Sequence, residues 1–169
     1  SAEFASPDDR EITSVNGDHD KIYKDVKWFY TSGHMNIFPQ NITKFFPNIV
    51  EVYIRDTKLT TVTKADLLPF GTKLRYLRLP YNKINAIEEG LFDANPNLES
   101  IALNSNKISF VADGVFDNLP KLHTLWLESN VCFPFDIHAN FSYDADDDPA
   151  IVLRLIKRIN GTCTNSQTK

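Results

Sequence analysis

The stretch Leu74-Arg75-Tyr76-Leu77-Arg78-Leu79-Pro80-Tyr81-Asn82-Lys83-Ile84 decides the fold. Its apolar frame, Leu74, Leu77, Leu79, Asn82 and Ile84, returns as Leu98, Ile101, Leu103, Asn106 and Ile108. It returns again as Leu122, Leu125, Leu127, Asn130 and Cys132, and a weaker copy upstream reads Ile49, Val52, Ile54, Thr57 and Leu59. The copies start at residues 49, 74, 98 and 122, so the steps are 25, 24 and 24. The second halves agree: Ile87 and Val111 share one offset, and Phe92 and Phe116 another. Pro47, Pro96 and Pro120 each stand two residues before a new copy. A fixed period of this length marks a solenoid of stacked units.

Counting each unit from its first apolar residue, positions 4 and 6 point inward on a short strand and position 5 points out. The Asn at position 9 turns inward, where its amide must find backbone partners. The Phe near position 19 fills the far side. No unit can bury its apolar edge alone, so stacking supplies the core. The expected fold is an α/β-type solenoid, a short horseshoe whose parallel β-sheet lines the concave side.

The ends are read from weaker signals. Lys21 to Phe46 reads as one more degenerate unit, its register open to a slip of one or two residues: with Met35 at position 11, Trp28 and Tyr30 fall at positions 4 and 6, and Phe38 and Ile42 fill later apolar slots. Further upstream, residues 12–15 and 21–23 flank Asn16-Gly17, a pair that favours a hairpin turn. That hairpin is the expected N-terminal cap, covering the sheet edge. After Cys132 the repeat stops. Asp148 suits an N-cap and Pro149 a first helical residue, the acidic run Asp144 to Asp148 complements the helix start, and Lys157 and Arg158 complement its end. Ile151, Leu155 and Ile159 share a face with Val152 and Ile156 beside it, so a helix is expected over the last unit as the C-terminal cap. The same acidic run lacks the spaced ligands and Gly of a calcium loop. The organisation is one domain over residues 9–163, with an N-cap at about 9–24, repeats at about 25–132 and a C-cap at 133–163. Residues 1–8 read as a tag or disordered terminus and 164–169 as a flexible tail.

The chain has 169 residues and a formal net charge of -4, enough for one domain with a core. It has no basic stripe for nucleic acid and no apolar run of membrane-spanning length. Asn41, Asn140 and Asn160 each open a glycosylation sequon. With a plausible Cys132–Cys163 bridge these favour a secretory route, a leader having been removed; a cytosolic repeat protein with two free thiols is the alternative. The bridge would close a loop of roughly 30 residues, worth about 3–4 kcal/mol in the chain-entropy model.

The 24-residue unit with Phe and Pro at set offsets resembles the typical subclass of extracellular leucine-rich repeats, shared by Toll-like receptors, decorins and slit-like proteins. Phe46-Pro47-Asn48-Ile49, Asp56-Thr57-Lys58-Leu59 and Leu127-Glu128-Ser129-Asn130-Val131-Cys132 are similar to secreted insect leucine-rich-repeat proteins. The resemblance covers about residues 22–163 and implies recognition, in innate immunity or extracellular signalling. The chain departs from such relatives in lacking an N-terminal cysteine cap, a second C-terminal cysteine pair and a coiled-coil tail.

The candidate site is the concave face. Position 5 supplies Tyr53, Arg78, Ala102 and Trp126, with Phe29 before them; position 3 supplies Glu51, Tyr76, Ser100 and Thr124; position 2 supplies Val50, Arg75, Glu99 and His123. Arg55, Tyr81 and Glu128 lie just beyond. Tyr53, Arg55, Arg75, Tyr76, Arg78, Tyr81, His123, Trp126 and Glu128 are the expected partner contacts, because Tyr, Trp and Arg dominate binding hot spots. Trp126 has a competing role, packing on Ala102 or beneath the C-terminal cap. The partner is expected to be a protein or peptide, bound by a monomer or weak homodimer. A structural or adhesive role through self-association is the alternative, and a small apolar ligand in a surface cleft a lesser one. No cofactor or metal is implied: His19, His34, His123 and His138 show no metal spacing, the 6 Gly form no phosphate loop, and no triad surrounds His123. No enzyme is expected.

Overall fold

A computed structural model describes residues 2–4, 12–15, 18–133, 138–139, 156–157, 159 and 163. In chain order the strands are β1 (Ala2–Phe4), β2 (Ile12–Val15), β3 (Trp28–Ser32), β4 (Glu51–Arg55), β5 (Tyr76–Arg78), β6 (Ala86–Ile87), β7 (Ser100–Ala102), β8 (Phe110–Val111), β9 (Thr124–Trp126) and β10 (His138–Ala139). Helix α1 (Ile42–Phe45) and helix α2 (Lys64–Leu67), which runs on into a 3-10 segment, occupy the returns of the first two units. The main sheet has the order β10-β9-β7-β5-β4-β3, parallel throughout except for the antiparallel β10. A parallel sheet with few helices and a repeating unit is an α/β repeat fold.

The strand register follows the period. Phe29, Val52, Leu77, Ile101 and Leu125 form one inward row. All but Phe29 are fully buried, as are Ile54, Leu79, Leu103 and Leu127 at position 6. Removing such a side chain from water is worth roughly 1.5–3 kcal/mol each. On the far side β6 and β8 pair in parallel, aligning Ile87 with Val111. Behind them Phe92 stacks on Phe116 with centroids 5.6 Å apart.

The asparagines tie the units together. Asn106 Nδ2 donates to Leu79 O of the preceding unit (2.8 Å) and to Leu103 O of its own (3.0 Å), while its Oδ1 accepts from Ile84 N–H at 3.0 Å. Asn130 repeats this on Leu103 O, Leu127 O and Ile108 N–H. Asn82 bonds Ile54 O, but its Oδ1 accepts from the amide and hydroxyl of Thr57. Thr57 Oγ1 in turn takes the Leu59 N–H. Threonine has no amide to send further back, so the ladder starts here.

Two expectations about the N-terminal end are corrected. Phe29, not Trp28, pairs with Val52 and is buried, and Tyr30 pairs with Tyr53 in the outward row. Met35 still holds position 11, since Lys58 N–H donates to its carbonyl as Lys83 N–H does to Leu59 O. This unit therefore has one residue fewer between strand and position 11. The later units turn through a left-handed residue at position 8 (Asp56, Tyr81, Ser105, Ser129), whereas the shortened turn uses Gly33 at φ 100°, where a side chain is disfavoured. Second, Ile12–Val15 pairs antiparallel with Ala2–Phe4, not with residues 21–23, which form no strand. Ile12 N–H reaches Gln40 O and Tyr23 N–H reaches Phe45 O. The segment thus lies against the α1 return, and the Asn16-Gly17 turn lies outside the described residues.

At the other end Cys132 and Cys163 are disulfide-bonded across 31 residues. Residues 156, 157 and 159 are helical, and Ile156 and Ile159 are buried in the core. The expected helix start, Asp148, Pro149 and residues 150–155, lies outside the described residues.

Asn106→Ala orphans the Ile84 amide, at roughly 1–3 kcal/mol, and removes the amide donor shared by the Leu79, Leu103 and Asn104 carbonyls. It is expected to cost about 3 kcal/mol, against about 1 kcal/mol for Thr57→Ala. Equal urea midpoints for the two variants would contradict a ladder anchored at the asparagines.

Candidate binding face

The parallel register turns the outward positions into rows that cross the sheet. Trp28, Glu51, Tyr76, Ser100 and Thr124 form one; Tyr30, Tyr53, Arg78, Ala102 and Trp126 form the next. Trp28 is 68% exposed, Tyr30 59% and Tyr81 52%, while Ser100, Ala102 and Thr124 are buried. The open aromatic surface is therefore weighted towards the first two strands. Sequence reasoning missed Trp28 and Tyr30 as surface residues because it set their strand one residue out of register.

The rings and cations of the face touch in sequence. Tyr30 meets Tyr53 edge-on at 5.2 Å. Arg55 lies over Tyr81 at 5.6 Å, and Arg75 and Arg78 lie over Tyr76 at 5.5 and 5.8 Å. Left-handed backbone at Tyr81 (φ 56°) sets this ring beyond the strand end. Every arginine on the face also has a carboxylate. Arg75 grips Glu99 through two bonds of 2.7 and 2.8 Å, and Tyr76 Oη donates to the same carboxylate at 3.0 Å. Arg78 meets Glu51 at 3.2 Å and Arg55 meets Asp56 at 2.6 Å. Exposed pairs like these add about 0–1 kcal/mol each. Their effect is to make the face locally neutral and to hold the guanidinium groups over the tyrosine rings.

The far side of the face is more closed. Strand β10 sets His138 opposite Trp126 and Ala139 opposite Leu125. His123 is exposed, with Nδ1 3.1 Å from Thr124 Oγ1. Trp126 Nε1, Asn104 Oδ1 and Glu128 Oε2 are buried with no hydrogen-bond partner among the described residues. They occupy positions 5 and 7 of the last two strand-bearing units. Asn95 Oδ1 is a fourth orphan, on the opposite side, where Asn95 Nδ2 bonds Leu67 O and Gly71 O. Asn95 stands outside the repeated frame, so no sequence period pointed to it.

Away from the face, a cleft of about 140 Å³ opens between the α1 and α2 returns, lined by Gln40, Asn41, Thr43, Asp66, Pro69 and Phe70. It is smaller than the ~300–1,000 Å³ of ordinary small-molecule sites. The sequon residue Asn41 is half-buried at its rim in a left-handed conformation. Asn140 and Asn160 lie outside the described residues. Among the described residues no cluster of His, Cys, Asp or Glu could hold a metal, and no helix is long and apolar enough to cross a membrane.

Stacked repeats presenting a sheet face of aromatic and paired polar groups fit a binding module. Residues 72–131 match the family model for the leucine rich repeat, in agreement with the period of the central units. No curated protein matches the chain.

Two measurements probe the face. The Arg75 guanidinium, and then the Tyr76 hydroxyl, hold the Glu99 carboxyl below the usual carboxylate range despite the opposing effect of burial. A depressed carboxylate stabilises fully above its unfolded pKa and loses that contribution as pH falls through the folded value. Stability is thus expected to decline from about pH 5 downward, and Glu99→Gln is expected to flatten part of that decline in acid-unfolding curves. Separately, Trp126→Phe keeps a ring and removes the orphaned donor. Its thermal stability is expected to equal or exceed wild type by about 1 kcal/mol, while Trp126→Ala costs roughly 2 kcal/mol or more. A large loss in the Phe variant would show that Nε1 has a partner.

Proposed function

We propose that the protein is a secreted, non-enzymatic recognition module that binds a protein or peptide on the open sheet face, the concave side of a short horseshoe. The observation that carries this is the row structure of the face: Trp28, Tyr30, Tyr53, Tyr76 and Tyr81 share it with Arg55, Arg75 and Arg78. Large rigid rings give contact area at low entropic cost, and arginines already held over rings and paired to carboxylates lose little more on binding. Because each arginine is paired, the partner need not carry a strong opposite charge.

The extracellular setting is supported by the Cys132–Cys163 bridge and three sequons, and it carries with it a role in innate immunity or signalling. The β1–β2 pair and the helical residues 156, 157 and 159 act as the two caps. A glycan at Asn41 sits beside the α1 return and leaves the face free.

The test is capture from the source's secreted fraction, followed by affinity measurement with Tyr53→Ala/Tyr81→Ala. Loss of a pair of aromatic anchors is expected to weaken the captured partner by about tenfold or more, while Glu88→Ala, on the far side, leaves it unchanged. Equal affinity for wild type and the folded double variant removes the face from consideration.

A further inference from the structure

We propose that two copies of the chain associate edge to edge through β3, antiparallel, about a two-fold axis at Tyr30. Val50 and Glu51 N–H both donate to Lys27 O. Backbone groups alternate sides along a strand, so Phe29 and Thr31 turn their N–H and C=O towards β4, and Trp28, Tyr30 and Ser32 turn theirs outward. Among the described residues no strand lies beyond β3, and the segment before it is tied to Gln40 and Phe45 instead. The same residues whose backbone faces outward carry the two most exposed aromatic side chains, Trp28 and Tyr30. The strand Trp28-Phe29-Tyr30-Thr31-Ser32 has high strand propensity. It lacks the Lys, Pro or bulge by which edge strands are normally protected from pairing.

A second copy fits this edge better than an arbitrary peptide does, because the edge is self-complementary. With Tyr30 opposite Tyr30 of the second copy, Trp28 faces the small Ser32 in both directions, and three mutually bonded residue pairs form. The tyrosine contact already seen between Tyr30 and Tyr53 then continues as a row of four rings across the axis. Glu51 stands in register with Trp28 and Arg55 with Ser32, so each carboxylate shares a row with a guanidinium of the other copy, three strand spacings or about 14 Å away. Both open faces emerge on the same side, as one longer sheet. Trp28 and Tyr30 are 68% and 59% exposed, so only part of the roughly 150–250 Å² of a fully buried ring is left to cover in each, and with the strand backbone the contact stays below the ~1,200 Å² lower limit of specific interfaces. The dimer is therefore weak and concentration-dependent. It does not depend on the open face binding a partner.

The experiment is sedimentation equilibrium of the intact chain from micromolar to millimolar concentration. The mean mass is expected to rise from the 19.3 kDa of the monomer towards twice that value. Tyr30→Pro removes an outward N–H that β4 does not use, and Tyr30→Lys sets like charges on the axis; each is expected to weaken association at least about tenfold while circular dichroism stays native. Tyr81→Ala, on the face but off the edge, retains the dimer. Under mild oxidation Tyr30→Cys is expected to form a covalent dimer, its opposed Cα atoms being about 5.5 Å apart and within disulfide reach, and Glu88→Cys is not. A mass fixed at the monomer value, undiminished association in both folded Tyr30 variants, or equal cross-linking at residues 30 and 88 would each overturn the proposal.

Discussion

The structure hangs on a polar problem solved in the same way at each unit. Every turn after a strand leaves carbonyls and amides inside the stack, where an unpaired group costs more than any single contact returns. Asn82, Asn106 and Asn130 settle this by bonding backward to the carbonyl of the previous strand and inward to their own turn. Because each amide needs the preceding unit in place, the units cannot slide against one another. The leucine rows, the Phe92–Phe116 stack and the rows of the open face all inherit their alignment from that fixed distance.

The same dependence explains how far the sequence could be read. Where position 9 is Asn, the strand residues follow without ambiguity, and Leu77, Ile101 and Leu125 fall in one row as their spacing requires. Thr57 weakens the signal without moving the frame, since its hydroxyl still serves the Leu59 amide. In the unit before it Gly33 and His34 stand where the asparagine would be, one residue has gone from the turn, and a register carried back from Met35 lands on Trp28 instead of Phe29. A period of two makes that single slip exchange both faces. The hairpin read around Asn16-Gly17 failed for a related reason: a turn signal names a bend but not the strand's partner, and residues 2–4, which carry no pattern, supplied the partner.

The candidate face was legible as a set of residue types and less so as chemistry. The Arg75–Glu99 contact joins residues 24 apart, the repeat length itself, so same-position residues of opposite charge in neighbouring units announce a pair. Arg78 and Glu51 are offset by two further positions and are not announced by the period. Nor does a sequence show that Ala102 leaves a shallow spot between Arg78 and Trp126, or that β10 closes the side beyond. Those features turn what reads as a cationic aromatic strip into a neutral one, most open where the repeat is least regular.

That irregular end is also where the two edges of the sheet differ. At β9 the sheet is extended by an antiparallel strand, and the chain beyond is fastened by Cys132–Cys163. At β3 the turn is shortened, the asparagine is absent and the outer backbone groups face away from the stack. A solenoid stabilised by nearest-neighbour contacts gains most at whichever end lacks a neighbour. Trp28 and Tyr30 add apolar surface to those groups, which meet no other strand among the described residues, so the end with the weakest internal tie has the most to gain from an external one. The degeneracy that shifted this unit's strand register in a periodic reading and the exposure that makes it available for contact both sit where the asparagine and one residue of the turn are missing.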